Sequence, residues 1–311
     1  MRFFELFKYF SMFKPCYRDL ACTGELQSRA EILNQILSDC ILCPQECKVN
    51  RLSGELGVCN APAEPIVSSC FPHFGEERPL VGRNGSGAIF MTHCNLKCVF
   101  CQNNDISHYG EGKPIEISDL AKMMLALQQL GCHNINFVTP THYIPQLVNA
   151  LIISAENGLY LPLVYNSSGY DSVKTLKLLD GIIDIYMPDA KFADNETAKK
   201  YTQAENYADA MYSALKEMHR QVGVLQMNDQ GIAERGVLIR HLVMPSGIAG
   251  SEKILKFIAE ELSKDSYVNI MGQYYPSHRA DEFTELRRRI THQEMENAYN
   301  SARKFGLHRG F

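Results

Sequence analysis

The sequence predicts an α/β protein: six βα units forming a partial barrel or an open parallel sheet, preceded by a small Cys-rich N-terminal region. Three observations carry this. From residue 88 onward, short apolar runs alternate with stretches of helical periodicity. Polar residues gather at the C-terminal end of each run, the edge that carries the active site in parallel α/β folds. The composition, 45% apolar and 21% charged, is that of a globular chain able to bury a sizeable core.

The elements follow in order. Residues 1–39 form an N-terminal extension, in which Phe3, Phe7 and Phe10 share one helical face and Ala30–Leu37 forms a short helix. Residues 40–87 form a Cys-rich metal-binding segment; its part from 60 onward, rich in Pro and Gly, reads as loop and linker. Residues 88–311 form the β/α core. Its strands are Ala88–Thr92, Asn134–Thr139, Leu161–Asn166, Ile182–Pro188, Val237–Met244 and Val268–Gln273. Helices are expected at Asp119–Leu130, Pro145–Glu156, Ser172–Leu179, Tyr207–Val222 and Glu252–Leu262, with Gln293–Phe305 closing the chain. Each parallel crossover should be right-handed.

Several classes are excluded by charge and pattern. A net charge of −4 and a pI near 6.2 give no electrostatic case for nucleic acid or an anionic membrane. No apolar run is long enough to span a membrane, and Arg2, Glu5 and Lys8 interrupt the N-terminal Phe-rich stretch, which lacks a signal-peptide cleavage site. Eleven cysteines, seven of them in two close groups, argue for metal binding or chemistry in the cytoplasm rather than a disulfide scaffold.

The strongest motif is Cys94-Asn-Leu-Lys-Cys98-Val-Phe-Cys101, a CxxxCxxC directly after the first strand. Three thiolates in eight residues can hold a 4Fe–4S cluster and leave one iron open. Zinc with His93 as fourth ligand and inert buried thiols are the alternatives.

With Phe100 before the last cysteine and six βα units behind it, this motif resembles the radical S-adenosylmethionine (SAM) superfamily. The blocks GSGAIFMTHCNLKCVFCQN, NFVTPTHYIPQ, YNSSGYDSVKTLKLLDGIIDIYMPDAKF, IRHLVMPSG and VNIMGQYYP resemble the uncharacterised homologues of pyruvate formate-lyase activating enzyme, over about residues 40–311. The resemblance implies a partial (β/α)6 barrel of the radical SAM type. It implies a 4Fe–4S cluster on Cys94, Cys98 and Cys101, with SAM chelating the open iron. Reductive cleavage would yield a 5′-deoxyadenosyl radical that takes hydrogen from substrate, here a glycine of a partner enzyme. The implied activity is that of an oxidoreductase-like activating enzyme, served by an electron donor such as a flavodoxin or ferredoxin. A small-molecule substrate, another protein substrate, and a non-catalytic metal-binding or redox-sensing module are the other readings.

The same resemblance supplies candidate cofactor-binding positions. Thr139, Thr141 and His142 stand where the superfamily has a Gly-Gly-Glu-like turn for the SAM amino group. Asn166 and Ser168, with Ser167 between them, end the third strand, where ribose or carboxylate contacts fall. Asp189 and Lys191 match an Asp-x-Lys of the activating enzymes, and His241 matches a histidine on strand five. Asn103, Asn104, Tyr274 and Tyr275 are further pocket candidates.

A second set, Cys40-x2-Cys43-x3-Cys47-x11-Cys59, brings four thiols into twenty residues. Zinc, a second Fe–S cluster and unmetallated thiols all fit this spacing. Cys16, Cys22, Cys70 and Cys132 have no partner spacing and are expected to be inert.

Overall fold

The computed structural model describes residues 13–311; Phe3, Phe7 and Phe10 lie outside the described residues. Nine strands form the sheet: β1 (Ile66–His73), β2 (Ser86–Met91), β3 (Lys113–Pro114), β4 (Ile135–Val138), β5 (Leu163–Ser167), β6 (Ile185–Pro188), β7 (Gln226–Met227), β8 (Ala233–Leu242) and β9 (Tyr267–Met271). β2, β4, β5, β6, β8 and β9 lie side by side in sequence order, each pair parallel. These are the six expected strands, and together they make a partial barrel.

Residues 60–87 correct the expectation of loop and linker. β1 forms there and pairs antiparallel with β2, with His73 opposite Ser86 and Val67 opposite Met91. It covers the edge of β2 that would otherwise be open to pairing. A polar, Pro-containing sequence (IVSSCFPH) hides this strand, because an edge strand needs only partial burial and tolerates proline. The antiparallel direction matters for the site. His73 lies beside the first residue of β2, so the chain leaves β1 at the N-terminal rim of the barrel. Residues 74–77 then turn into the lumen.

Strand alternation sorts the sheet into two faces. Ile89, Phe137, Leu163, Tyr165, Tyr186, Ile239, Val268 and Ile270 point outward into the main core under the helices. Val164, Ile185, Met187 and Leu238 point inward, where Leu80 and Leu225 cap them in a smaller apolar cluster. One step further along the same strands the inward positions turn polar, and the apolar plug gives way to a cavity.

Helices Ile117–Gln129, Ile144–Glu156, Val173–Leu178 and Tyr207–Val222 lie within two residues of expectation at each end. The final helix, His292–Phe305, starts on a capping box in which Thr291 and Glu294 satisfy each other's backbone N–H groups. The expected Glu252–Leu262 helix divides into an α-helix, Ser251–Phe257, and a π-helical turn, Ile258–Leu262. The N-terminal extension holds two helices, Tyr17–Thr23 and Glu25–Ile36. It docks onto the barrel: Tyr17 Oη donates to the Leu161 carbonyl at 3.1 Å, and Arg18 donates to the carbonyls of Ala155 and Leu159 at 2.9 and 3.1 Å. Among the described residues no helix is long and apolar enough to cross a membrane.

Among the helices without a counterpart in the sequence expectations is Asn195–Thr202. It is short and largely polar, and starts where the Asp194 carboxylate accepts the Thr197 N–H at 2.8 Å. Its last carbonyls anchor the cysteine loop described next.

Candidate functional site: a thiol-lined cavity in the barrel

A cavity of about 500 Å³ opens at the C-terminal rim of the parallel strands, lined by Cys94, Cys98 and Cys101 together with residues on or just beyond β2, β4, β5, β6, β8 and β9. Its size lies within the range of small-molecule sites. A larger and more open hollow, about 930 Å³, lies between the ends of helices Ser251–Phe257 and His292–Phe305. It has no thiol and no cluster of buried charge, so the barrel cavity is the candidate site.

The loop that carries the three thiols is held on both sides. Lys97 and Val99 donate backbone N–H bonds to the carbonyls of Thr202 and Tyr201, both at 2.9 Å, and Arg279 N–H donates to the Val99 carbonyl at 2.8 Å. Asn95 is fully buried; its amide donates to the Tyr170 carbonyl at 2.7 Å and its Oδ1 accepts from Ser168 at 3.3 Å. Phe100 packs edge-on against Phe192 and Tyr274. His93, immediately before Cys94, sits at φ 65°, as does Thr139 at 60° on the tip of β4. Left-handed backbone at non-glycine residues is strained and recurs at functional sites.

Burial pushes the Cys94 thiol up to about 11 and Cys98 higher still, with the neighbouring thiols adding to the effect and Lys191 opposing it. The Leu96 N–H faces the Cys94 sulfur at 3.4 Å, and Cys101 lies 3.0 Å from the Ser107 hydroxyl. Thiols this buried ionise when a metal centre takes the charge. A compact trio facing one cavity, with no fourth thiol in its lining, fits the three-cysteine side of a cubane cluster.

Behind the thiols the lumen is charged. Lys191 Nζ lies 2.5 Å from Asp189 Oδ2. Arg240 donates to Asp189 Oδ1 at 2.8 Å and to Asn166 Oδ1 at 2.7 Å, with Glu76 3.7 Å away. Glu76 also accepts from Asn136 at 2.9 Å, and Glu77 accepts from Asn269 at 2.8 and 2.9 Å. Burial works against the charge on Asp189, but Arg240 and Lys191 outweigh it and hold the carboxyl below its ordinary value. Burial instead raises Glu77, since the Asn269 amide and the more distant Arg240 only partly offset it. Gly169 has φ 76° and lies against the Asp189 carbonyl, a contact that leaves no room for a Cβ.

The expected positions divide between the cavity and the core. Thr139, Asn166, Ser167, Ser168, Asp189, Lys191 and Asn103 line the cavity. Thr141, His142 and His241 do not. Thr141 donates to Asp171 at 2.8 Å in a buried hydroxyl network. His142 is buried with Nε2 2.7 Å from the Thr92 carbonyl. His241 points outward, Nδ1 2.7 Å from the Ala190 carbonyl and Nε2 2.8 Å from Ser251 Oγ. Alternation along β8 explains it: if Arg240 faces the lumen, His241 must face the helices. Tyr274 is buried with its hydroxyl on the Leu286 carbonyl at 2.8 Å, and neither Tyr275 nor Asn104 reaches the cavity. Arg240, Glu76, Glu77 and Asn269 are the cavity residues of the charged and amide network that the sequence does not reveal, and His73, Arg78 and Ser107 line the cavity as well.

His241 therefore belongs to the stability of the fold, and the prediction is one of pH. Burial lowers its pKa from 6.5 to about 4, against the Ala190 carbonyl and Asp189, which favour the proton. The unfolded chain takes up a proton near 6.5 and the folded chain does not. Its stabilising contribution is fully present above that value and is lost as pH falls through about 4. At ~1.4 kcal/mol per unit the loss is about 3 kcal/mol. Urea midpoints measured across this window should decline with acid, and His241→Gln should make the decline shallower. An unchanged slope in the variant would refute the assignment.

Comparison with known proteins agrees with the sequence motif. A family model described as the radical SAM superfamily matches residues 88–227. An uncharacterised protein of Methanocaldococcus jannaschii is 35% identical over 292 residues, covering 91% of this chain and 79% of that one. Among solved structures, a radical SAM methyltransferase from Sphaerobacter thermophilus is similar at 13% identity and a TM-score of 0.48, over 72% of this chain and 65% of its own. Streptococcus suis SuiB bound to the precursor peptide SuiA is similar at 14% identity and a TM-score of 0.47, over 71% of this chain and 46% of its own.

Proposed function

The chain belongs to the radical SAM superfamily, and from that premise we propose that it cleaves SAM reductively to methionine and 5′-deoxyadenosine, taking the hydrogen from a glycine of a partner protein. The observation that supports this best is convergence: three thiols and the polar tips of β4, β5 and β6 share one cavity with a buried ion-pair network. Cys94, Cys98 and Cys101 would hold the 4Fe–4S cluster. When bound, such a cluster supplies the electron that breaks the sulfonium C–S bond.

The rest falls to side chains of this chain. Lys191, paired with Asp189, places a fixed positive charge toward Cys98 and offsets the thiolate charge there. The Asn166 amide and the Ser168 hydroxyl offer neutral donors and acceptors suited to ribose hydroxyls or an amino-acid group, whereas the Ser167 hydroxyl donates to Asp171 at 2.6 Å. Arg240 holds Asp189 and Asn166 in place, so these groups are arranged before any ligand arrives. The apolar plug of Leu80, Val164, Ile185, Met187 and Leu238 closes the barrel floor, which keeps bulk water from entering on that side.

The glycine substrate rests on the likeness of the sequence to the activating-enzyme homologues, including Asp189 and Lys191 as its Asp-x-Lys. The proposed setting is the cytoplasm, where all eleven free cysteines would stay reduced, with a low-potential flavodoxin or ferredoxin as electron donor. Anaerobically reconstituted protein, reduced in the presence of SAM, should release 5′-deoxyadenosine and methionine in equal amounts. Adding the correct partner should raise the yield and produce the doublet of a glycyl radical by electron paramagnetic resonance. No 5′-deoxyadenosine under any reductant would sink the reaction. Release without a glycyl signal from any glycyl-radical enzyme would sink the substrate and leave the reaction standing.

A further inference from the structure

We propose that Cys40, Cys43, Cys47 and Cys59 hold a second iron–sulfur cluster, of the four-iron type, with Arg51 as its buried counter-charge. The inference does not depend on the reaction proposed above. The four thiols surround one small enclosed cavity, and Arg51 and His142 complete its lining. Cys43 and Cys59 are buried, and burial raises both thiols, with the other cysteines of the set adding to the rise.

Arg51 is the observation that decides between an empty pocket and a charged one. It is 1% exposed. Its terminal nitrogens donate to the carbonyls of His142 and Pro62 at 2.7 and 2.5 Å, and its Nε has no partner. It takes part in no ion pair among the described residues. A guanidinium does not lose its proton in a protein, and an uncompensated buried charge is strongly destabilising. The groups around this cavity that can become negative are the four thiols, and binding a metal centre is what ionises buried thiols. A cluster on four thiolates carries net negative charge and supplies the missing partner. His142 Nδ1, also buried and without a partner, lines the same cavity.

The local backbone is built around the sulfurs. Val58 N–H faces the Cys47 sulfur at 3.4 Å. Backbone N–H groups of Gln45 and Ala61 face the sulfurs of Cys43 and Cys59, two residues behind them, as Leu96 does for Cys94. Glu46 and Lys48 on either side of Cys47, and Asn60 after Cys59, all have left-handed φ values of 39°, 55° and 62°. At Gly57 a Cβ would stand 2.8 Å from the Cys47 sulfur, so the chain has cleared the space beside that thiol.

Spacing favours a cluster over a single ion. Among the described residues neither this set nor the Cys94, Cys98 and Cys101 set is grouped as a single-ion site, so the two thiol sets are alike in this respect. One zinc would draw four sulfurs to within about 2.3 Å of a common point. A cubane spreads its thiolates over four separate irons, so it asks for four sulfurs around one cavity and not for four at a common point.

The test is a metal count on the full-length chain. After anaerobic reconstitution the wild type should hold about eight irons and eight sulfides, two four-iron clusters' worth. C94A/C98A/C101A should retain half of each, with a spectrum that SAM does not perturb. Cys43→Ser should lose the other half and keep the SAM-sensitive spectrum. Arg51→Gln should keep its iron but lower the reduction potential of the second cluster, since a neighbouring cation favours the added electron, and Arg51→Lys should restore much of the shift. One zinc per chain that disappears with Cys43→Ser would overturn the proposal. So would a wild-type count of four irons, or a triple variant with none.

Discussion

Replacing Cys98 with Ala is expected to abolish SAM cleavage, with 5′-deoxyadenosine falling to the level of the cluster-free chain. The thiol is buried in the cavity lining, its neighbours in the loop are pinned by Asn95, Thr202 and Tyr201, and no thiol beyond Cys94 and Cys101 lines the cavity to replace it. The site would keep two thiolates for a cluster that needs three from the protein. Ala removes the sulfur without adding bulk, so the loop anchors should survive and thermal unfolding should change little. The measurement is therefore paired: product by chromatography and stability by calorimetry on the same preparation. A Cys98→Ala chain that still cleaves SAM would mean that the cluster, if present, sits elsewhere. A chain that loses both activity and fold would be resolved by Cys101→Ser, which keeps a polar atom near Ser107 and should fail in cleavage alone.

Much of this architecture was legible because periodicity and burial are local facts. Six apolar runs became six parallel strands in sequence order, and the polar residues at their tips gathered on one rim. What escaped was set by long-range geometry. Glu76 and Glu77 sit in a segment that reads as loop, and nothing local reveals that β1 runs antiparallel and feeds them into the lumen from below. Arg240 and His241 are adjacent on one strand, so only one can face the cavity; the resemblance favours histidine, whereas the register selects arginine. Counting in twos from Leu238, an inward apolar residue, would have found Arg240. Thr141 and His142 lie beyond the strand end, where a short 3₁₀ turn redirects the side chains into the core.

Arg240→Met is expected to destabilise the fold by about 3–5 kcal/mol, the usual consequence of removing one member of a buried charge set. The guanidinium meets Asp189 and Asn166 through direct hydrogen bonds and stands near Glu76, all within the barrel. Without it Asp189 keeps only Lys191, Glu76 loses its nearest cation, and both carboxylates remain desolvated. The Asp189 carboxyl should then rise, because burial, the largest influence on it, would no longer be outweighed. Its contribution to wild-type stability is present above the unfolded carboxylate value and lost as pH falls through the depressed folded one. The variant should therefore be weakest near neutrality and recover part of its deficit in mild acid, where Asp189 can protonate. Adding Asp189→Asn to Arg240→Met should restore a large part of the loss, since the second change removes the stranded charge. Arg240→Lys should fall between, because a single ammonium cannot meet Asp189 and Asn166 in the planar fork that a guanidinium presents. Denaturant unfolding of the wild type, these three variants and Asp189→Asn alone, at pH 7 and pH 5, measures all of this. Additive losses in the double variant would show that the ion pair does not couple these residues, and that the polar lumen is held by its amides instead.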